Sequence, residues 1–157
     1  NPGALVASGY VVARRMATVS AETFGRVTEV LVEEGMRVEQ GQVLARLDDT
    51  LAKVDLGLAR ARVGTVEAQL AGTRAELAEA RRVLDRARTL RTRDFQTEAA
   101  LTSAESRAAV LAAEVQRLEA SLAVARLEVE REAERLDKLT IRAPFAGMVV
   151  DKNAQPG

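Results

Sequence analysis

LTSAESRAAVLAAEVQRLEASLAVARLEVEREAERL, residues 101–136, holds the pattern from which the rest of the chain can be read. Leu101, Ala108, Val115, Leu122, Val129 and Leu136 recur every seventh residue, and Ala104, Leu111, Leu118 and Ala125 follow three residues later. Alternating three–four spacing sustained over five heptads is the apolar seam of a coiled coil, and Glu132 is its one polar break. Upstream, Leu56, Val63, Leu70, Leu77 and Leu84 repeat the same period, with Ala59, Val66, Thr73, Ala80 and Ala87 three residues after each. Small residues at the second position allow two helices to approach closely.

The seams are separated by Arg91-Thr92-Arg93-Asp94-Phe95-Gln96-Thr97, where the apolar register fails. Asp94 and Thr97 are candidate caps, and Glu98 falls in a first helical turn, where negative charge is favoured. The pattern predicts an antiparallel hairpin over residues 49–138 with its tip near 91–97. Each arm of roughly 40 residues would be about 60 Å long at 1.5 Å per residue. The alternative is one continuous helix that dimerises; two seams of matched length around a polar break favour the hairpin. Asp48, Asp49 or Thr50 can start the first arm.

Both flanks read as β. In residues 1–48, Val6, Tyr10, Val12, Val19, Val27, Val30, Val32, Val38 and Val43 are punctuated by Gly25, Gly35 and Gly41. The Val30/Val32 alternation suits a half-buried strand. After Lys138, Ile141, Ala143-Pro144, Gly147, Val149 and Val150 read as a strand, a turn and a second strand. Neither flank alone can bury a core, and the feet of a hairpin would bring them together. The fold class is therefore α+β, a long α-hairpin inserted into one small split β-domain.

Composition excludes several functions. The 157 residues hold 23 basic and 23 acidic side chains, so no bulk charge draws the chain to nucleic acid or anionic lipid. Cysteine and histidine are absent, which removes disulfides, thiol nucleophiles, His triads and most transition-metal sites. Glu114, Glu119, Glu128, Glu130, Glu132 and Glu134 are interleaved with arginines as on solvated helix faces, so an enzyme is not expected. No run of about 20 apolar residues is present, hence no transmembrane segment. No signal peptide is visible, and both ends are expected to continue in a longer protein.

Against this background two flanking motifs carry a family likeness. Gly25-x-Val27-x-x-Val30-x-Val32-x-x-Gly35-x-x-Val38-x-x-Gly41-x-x-Leu44 resembles the first half of a biotinyl/lipoyl domain. Leu139-Thr140-Ile141-Arg142-Ala143-Pro144-Phe145-Ala146-Gly147-Met148-Val149 resembles the start of the second half. In this order, around a heptad hairpin, they resemble HlyD-type membrane fusion proteins, the periplasmic adaptors of tripartite efflux pumps. The resemblance implies four parts: a leading strand or strands at 1–20, the remnant of a β-barrel domain; a first lipoyl half at 21–48; the hairpin at 49–138; and an incomplete second lipoyl half at 139–157. In the first part, Leu5 to Met16 match the strand that precedes the lipoyl half in these adaptors.

The resemblance further implies an inner-membrane ABC or RND transporter as one partner, a TolC-like outer-membrane channel as the other, and a homo-oligomer, commonly a six-membered ring. It implies export of drugs or small molecules. It also implies a periplasmic location, with inner-membrane association through parts outside this chain. Hairpin length is nearer to macrolide-type ABC-efflux adaptors than to the longer type I protein secretion adaptors, which remain an alternative. A biotinyl/lipoyl carrier is the alternative of another class. However, alignment of Val43–Asp48 with carrier domains puts Leu51 at the modifiable-lysine position and Lys53 two residues off, so no cofactor is expected.

Adaptors that meet TolC-like channels often carry Arg, then Leu four residues on, then Ser seven beyond that. Arg86, Leu90 and Thr97 fall at this spacing, with Thr for Ser, and Gln96 stands where a branched apolar residue is common. The resemblance makes these three the channel contact. Read without it, they are a solvated arginine, a tip-packing leucine and a helix cap.

Overall fold

The computed structural model describes residues 16–94, 97–153 and 155–156. Two helices dominate it, α1 (Thr50–Thr92) and α2 (Glu98–Asp137). With 43 residues, α1 is about 65 Å long. Ion pairs between the helices establish their direction. Arg62 meets Glu128, Glu67 meets Arg126, Arg74 meets Glu119 and Glu76 meets Arg107, so the partner's number falls as the first rises. The helices are antiparallel arms of one hairpin, and the single-helix alternative is set aside.

The heptad positions form the buried seam. Leu70, Leu77, Ala80, Leu84 and Ala87 pack against Ala104, Ala108, Leu111, Val115, Leu118 and Leu122 in one continuous core. Val63, Val66 and Leu101 are half-buried at its margins. Glu132 occupies its seam position as a buried carboxylate, the one buried charged residue among those described. Its two oxygens accept from Arg131 Nε and Arg135 Nη1, each at 3.2 Å.

Asp48 and Asp49 divide the start of α1 between them. Asp49 is the N-cap residue, yet its side chain makes no capping bond. Asp48 Oδ1 instead accepts from the Thr50 N–H at 3.1 Å and the Thr50 hydroxyl at 2.9 Å. These bonds, with Arg26 nearby, hold the Asp48 carboxyl below its usual range. A lowered folded pKa contributes stability above the unfolded value, and that contribution is lost as pH falls through the folded value. Asp48→Asn is therefore expected to melt lower than the parent at neutral pH. The gap should narrow as pH falls towards about 2 and the carboxyl takes up its proton. Thermal melts at the two pH values check this; an unchanged gap would assign the loss to something other than charge.

Among the described residues five short strands surround the hairpin's feet: β1 (Val27–Val30), β2 (Arg37–Val38), β3 (Val43–Leu47), β4 (Thr140–Arg142) and β5 (Gly147–Met148). They form an antiparallel sheet ordered β1-β3-β4 and a second pair, β2-β5. Both sheets pair residues from before the hairpin with residues after it. Beyond the ladders, the Leu47 N–H donates to the Leu139 carbonyl at 2.8 Å, and the Gly35 N–H to Val149 at 2.7 Å. The hairpin thus brings the two β segments together and they complete each other.

Several local expectations need correction. The leading strand of 1–20 falls largely on residues 1–15, outside the described residues, and 16–20 carry no regular structure. Val19 is exposed and lies in no strand. β1 ends at Val30, so the Val30/Val32 alternation is not one strand; Val32 is buried beyond its end. The valines of 27–38 divide between two cores. Val32 and Val38 are buried with Ala143, against Val30, Leu44 and Val149, whereas Val27 packs under the helix feet with Leu47, Ala52 and Leu139. The strand–turn–strand read at 140–150 is not a hairpin either, because β4 and β5 pair into different sheets. Residues from beyond the hairpin complete both clusters, Ala143 and Val149 the one and Leu139 the other, and so decide which neighbours a valine meets.

Gly35 and Gly41 have φ of +84° and +80°, the left-handed region that glycine adopts without cost. Gly41 also bonds across the split, its N–H donating to the Ala143 carbonyl at 2.8 Å, while the Ala143 N–H donates to the Gln42 carbonyl at 2.9 Å. Gly41→Ala is expected to destabilise the β-domain by about 1–2 kcal/mol. Hydrogen exchange should show the loss at 41–47 and 139–143, with the upper hairpin unchanged.

Candidate docking site at the hairpin tip

The connection between the helices is short because both ends are capped locally. Arg93 closes α1, its N–H donating to the Leu90 carbonyl at 3.2 Å. Asp94 follows with φ +59°, the left-handed position common just past a helix end, and its N–H donates to the Arg91 carbonyl at 3.0 Å. Arg91 Nη1 lies 3.6 Å from the Asp94 carboxylate. Thr97 is the N-cap of α2, its hydroxyl oxygen accepting from the Ala100 N–H at 3.2 Å. Glu98 lies in the first turn. The described tip of the hairpin is thus closed by Arg93 and Asp94 on one side and by Thr97 on the other.

Arg86 and Leu90 lie one turn apart on the outer side of α1 and share a shallow cleft with Arg82, Asp85 and Thr89. Arg86 points into solvent, 3.8 Å from Glu79, a carboxylate that Arg82 engages more closely at 2.9 Å. Leu90 is 37% exposed, so it only partly serves the tip's own packing. Thr97 does not line this cleft. Its oxygen is engaged in the cap, which leaves its O–H free to donate. The structure brings Arg86 and Leu90 together and gives Thr97 the cap role.

A second cleft, of about 620 Å³, was not anticipated from the sequence. It runs between the helices over Leu84 and Ala108, with Ala109 and Ala112 on the α2 side. Arg81, Asp85, Arg88 and Glu105 edge it. The signal was available: positions beside the seam pair Arg74 with Glu119, but seven residues on, Arg81 meets alanine at 112. Only knowledge of the antiparallel register makes that mismatch visible.

At the other end of the hairpin, Leu51 and Lys53 lie in the first turn of α1. Lys53 is ion-paired with Asp49 at 3.2 Å. β3 runs through Asp48 and Asp49 directly into a helix, so the position of a carrier lysine is not on a β-turn. Among the described residues no cluster of metal-ligating side chains occurs and no helix is long and apolar enough to cross a membrane.

A small β-domain split by a long antiparallel hairpin is the architecture of the membrane fusion, or adaptor, proteins. The sequence matches the CzcB-like barrel-sandwich hybrid domain over residues 15–157, and the chain belongs to that family. No curated protein matches it. Among solved structures it is similar to MacA from Actinobacillus actinomycetemcomitans, with 22% identity and a TM-score of 0.82 over 89% of this chain and 44% of that one. It is also similar to the membrane fusion protein Spr0693 from Streptococcus pneumoniae R6, with 20% identity and a TM-score of 0.64 over 85% and 50% of the two chains. A MacA-MexA chimera containing the Pseudomonas aeruginosa MexA α-hairpin domain matches with 19% identity and a TM-score of 0.54, over 89% and 41%. At these identities the likeness is one of fold, and the chain spans half or less of each of these proteins.

Proposed function

We propose that this chain is the reaching arm of a periplasmic adaptor. It links an inner-membrane efflux transporter, of ABC or RND type, to a TolC-like outer-membrane channel for export of drugs or small molecules. The observation that carries this reading is the mounting of a rigid hairpin, about 65 Å long, on a β-domain whose two halves it holds together. An arm so built transmits position rather than performing chemistry. In this reading the β-domain belongs to a homo-oligomeric ring, commonly of six, and the rest of the protein supplies the inner-membrane association.

Arg86, Leu90 and Thr97 are the proposed channel contact. Arg86 and Leu90 present a charged fork beside an exposed apolar side chain, a combination enriched at binding hot spots. Leu90→Cys and Thr97→Cys are expected to crosslink to the channel in intact cells. Ala120→Cys, exposed on the shaft of α2, should not. Equal crosslinking at all three positions would remove the case for a tip contact. A type I secretion adaptor would share the contact but carry protein cargo, which a secretion assay separates from drug efflux.

A further inference from the structure

Charge is distributed unequally along the hairpin. Between positions 81 and 110 there are seven arginines and four carboxylates. In the rest of the hairpin, 50–80 and 111–137, there are eight basic residues and eleven acidic ones. A chain of zero net charge is thus divided into an acidic shaft and a basic tip. The ion pairs differ in the same sense. Of the shaft's seven arginines, Arg62, Arg74 and Arg126 are matched across the two helices by Glu128, Glu119 and Glu67, Arg117, Arg131 and Arg135 are matched within α2, and Arg60 alone has no carboxylate within 4.0 Å among the described residues; the last cross-helix pair is Arg107–Glu76.

Beyond that level α2 offers mainly Ala, Ser, Thr and Leu. Arg82 and Arg86 share Glu79, and Arg91 has Asp94. Arg81, Arg88 and Arg93 have no carboxylate within 4.0 Å among the described residues. The α1 dipole accounts for little of this, because its pull on cations is confined to the last turn, where Arg91 sits.

The clefts sharpen the point. The inter-helix cleft is edged by Arg81 and Arg88 above an alanine side, and the outer one by Arg82 and Arg86 beside Leu90. Asp85 and Glu105 edge the first without closing onto either arginine within ion-pair distance. Guanidinium groups flanking small and apolar residues suit the carboxylates of an opposing helix, which they grip in two-point fashion.

We propose that the upper hairpin is a carboxylate-reading surface, on which the collar of Arg81, Arg82, Arg86, Arg88, Arg91 and Arg93 docks against a protein partner presenting Asp and Glu from its contact helices. This rests on the adaptor reading and extends it by assigning the partner's chemistry and the arginines beyond Arg86. The acidic shaft disfavours the same partner at lower levels, so charge sets the depth of docking as well as its site.

The test measures binding of the full chain to the outer-membrane channel of the same cell, purified in detergent, and to phosphatidylglycerol vesicles. Three proteins are compared: the unaltered chain, the tip triple Arg81→Glu/Arg88→Glu/Arg93→Glu, and the shaft triple Arg60→Glu/Arg62→Glu/Arg117→Glu. All substituted side chains are exposed, and melting curves verify folding. Channel binding is expected to fall about tenfold between about 50 and 300 mM salt, and at least tenfold in the tip triple, staying within about twofold in the shaft triple. Equal losses in the two triples, salt-independent binding, or loss confined to vesicle binding would overturn the carboxylate partner while leaving the adaptor reading in place. Failure of the unaltered chain to bind the channel at any salt would overturn both.

Discussion

Replacing Leu118 by alanine is expected to destabilise the hairpin by about 2–5 kcal/mol. Leu118 is 3% exposed, at the centre of the seam, in one core with Leu70, Leu77 and Ala80 of α1 and Val115 and Leu122 of its own helix. A hairpin of two helices has no third layer, so nothing else can move in to fill the space. Removal of the leucine loses its burial and leaves a cavity between two long, straight elements that collapse poorly. The expected fall in melting temperature is roughly 5–15 °C. Alanine at Leu127, which is exposed on the same helix, should change it by no more than about 2 °C. If the two substitutions act alike, the seam is not where the hairpin's stability resides.

Glu132→Leu is expected to act in the other direction, raising stability by about 1–4 kcal/mol. Glu132 is 6% exposed at a heptad position that leucine or alanine fills elsewhere. Its ion partners, Arg131 and Arg135, belong to its own helix and are more than half exposed. Leucine there would bury apolar surface in the seam and leave both arginines in water, so no unpaired charge is stranded inside. Glu132→Ala, which removes the carboxylate without filling its place, should gain less. Denaturant melts of the two variants separate the contributions; a destabilised leucine variant would mean that the carboxylate organises the base of the hairpin.

Glu132 also marks the boundary between two cores. Above it the continuous seam runs from Leu70 to Ala87 and from Ala104 to Leu122. Below it a separate cluster, Leu47, Ala52 and Leu139, joins the helix feet to the sheet. Stabilising this junction with leucine would make the arm and its mount a single apolar unit. Efflux measured beside the melts then reports whether the adaptor proposed above works better with the junction as it stands.

Much of this was legible in the heptads. The seam residues, the antiparallel hairpin and the split β-domain follow from periodicity and from where it stops, because a coiled coil is specified by local spacing. The turn chemistry was equally local: Gly35 and Gly41 take positive φ, and Thr97 caps α2. Arg86, Leu90 and Thr97 were marked by spacing and a family likeness, and their role at a channel stays a proposal. What could not be read was anything that depended on a distant partner. Val27 and Val32 occupy different cores because Leu139 completes one and Ala143 the other, and β4 and β5 enter different sheets because they pair with β3 and β2, all across a helical insert of about 90 residues. The unmatched arginines were hidden for the same reason. Every arginine looks alike along the sequence, and only the register of α1 against α2 shows that Arg62, Arg74 and Arg126 meet glutamates of the other helix while Arg81 and Arg88 lie beside alanines. Local spacing by itself determined that there is an arm; the tertiary structure decided which of its charges this chain neutralises and which it leaves for a partner.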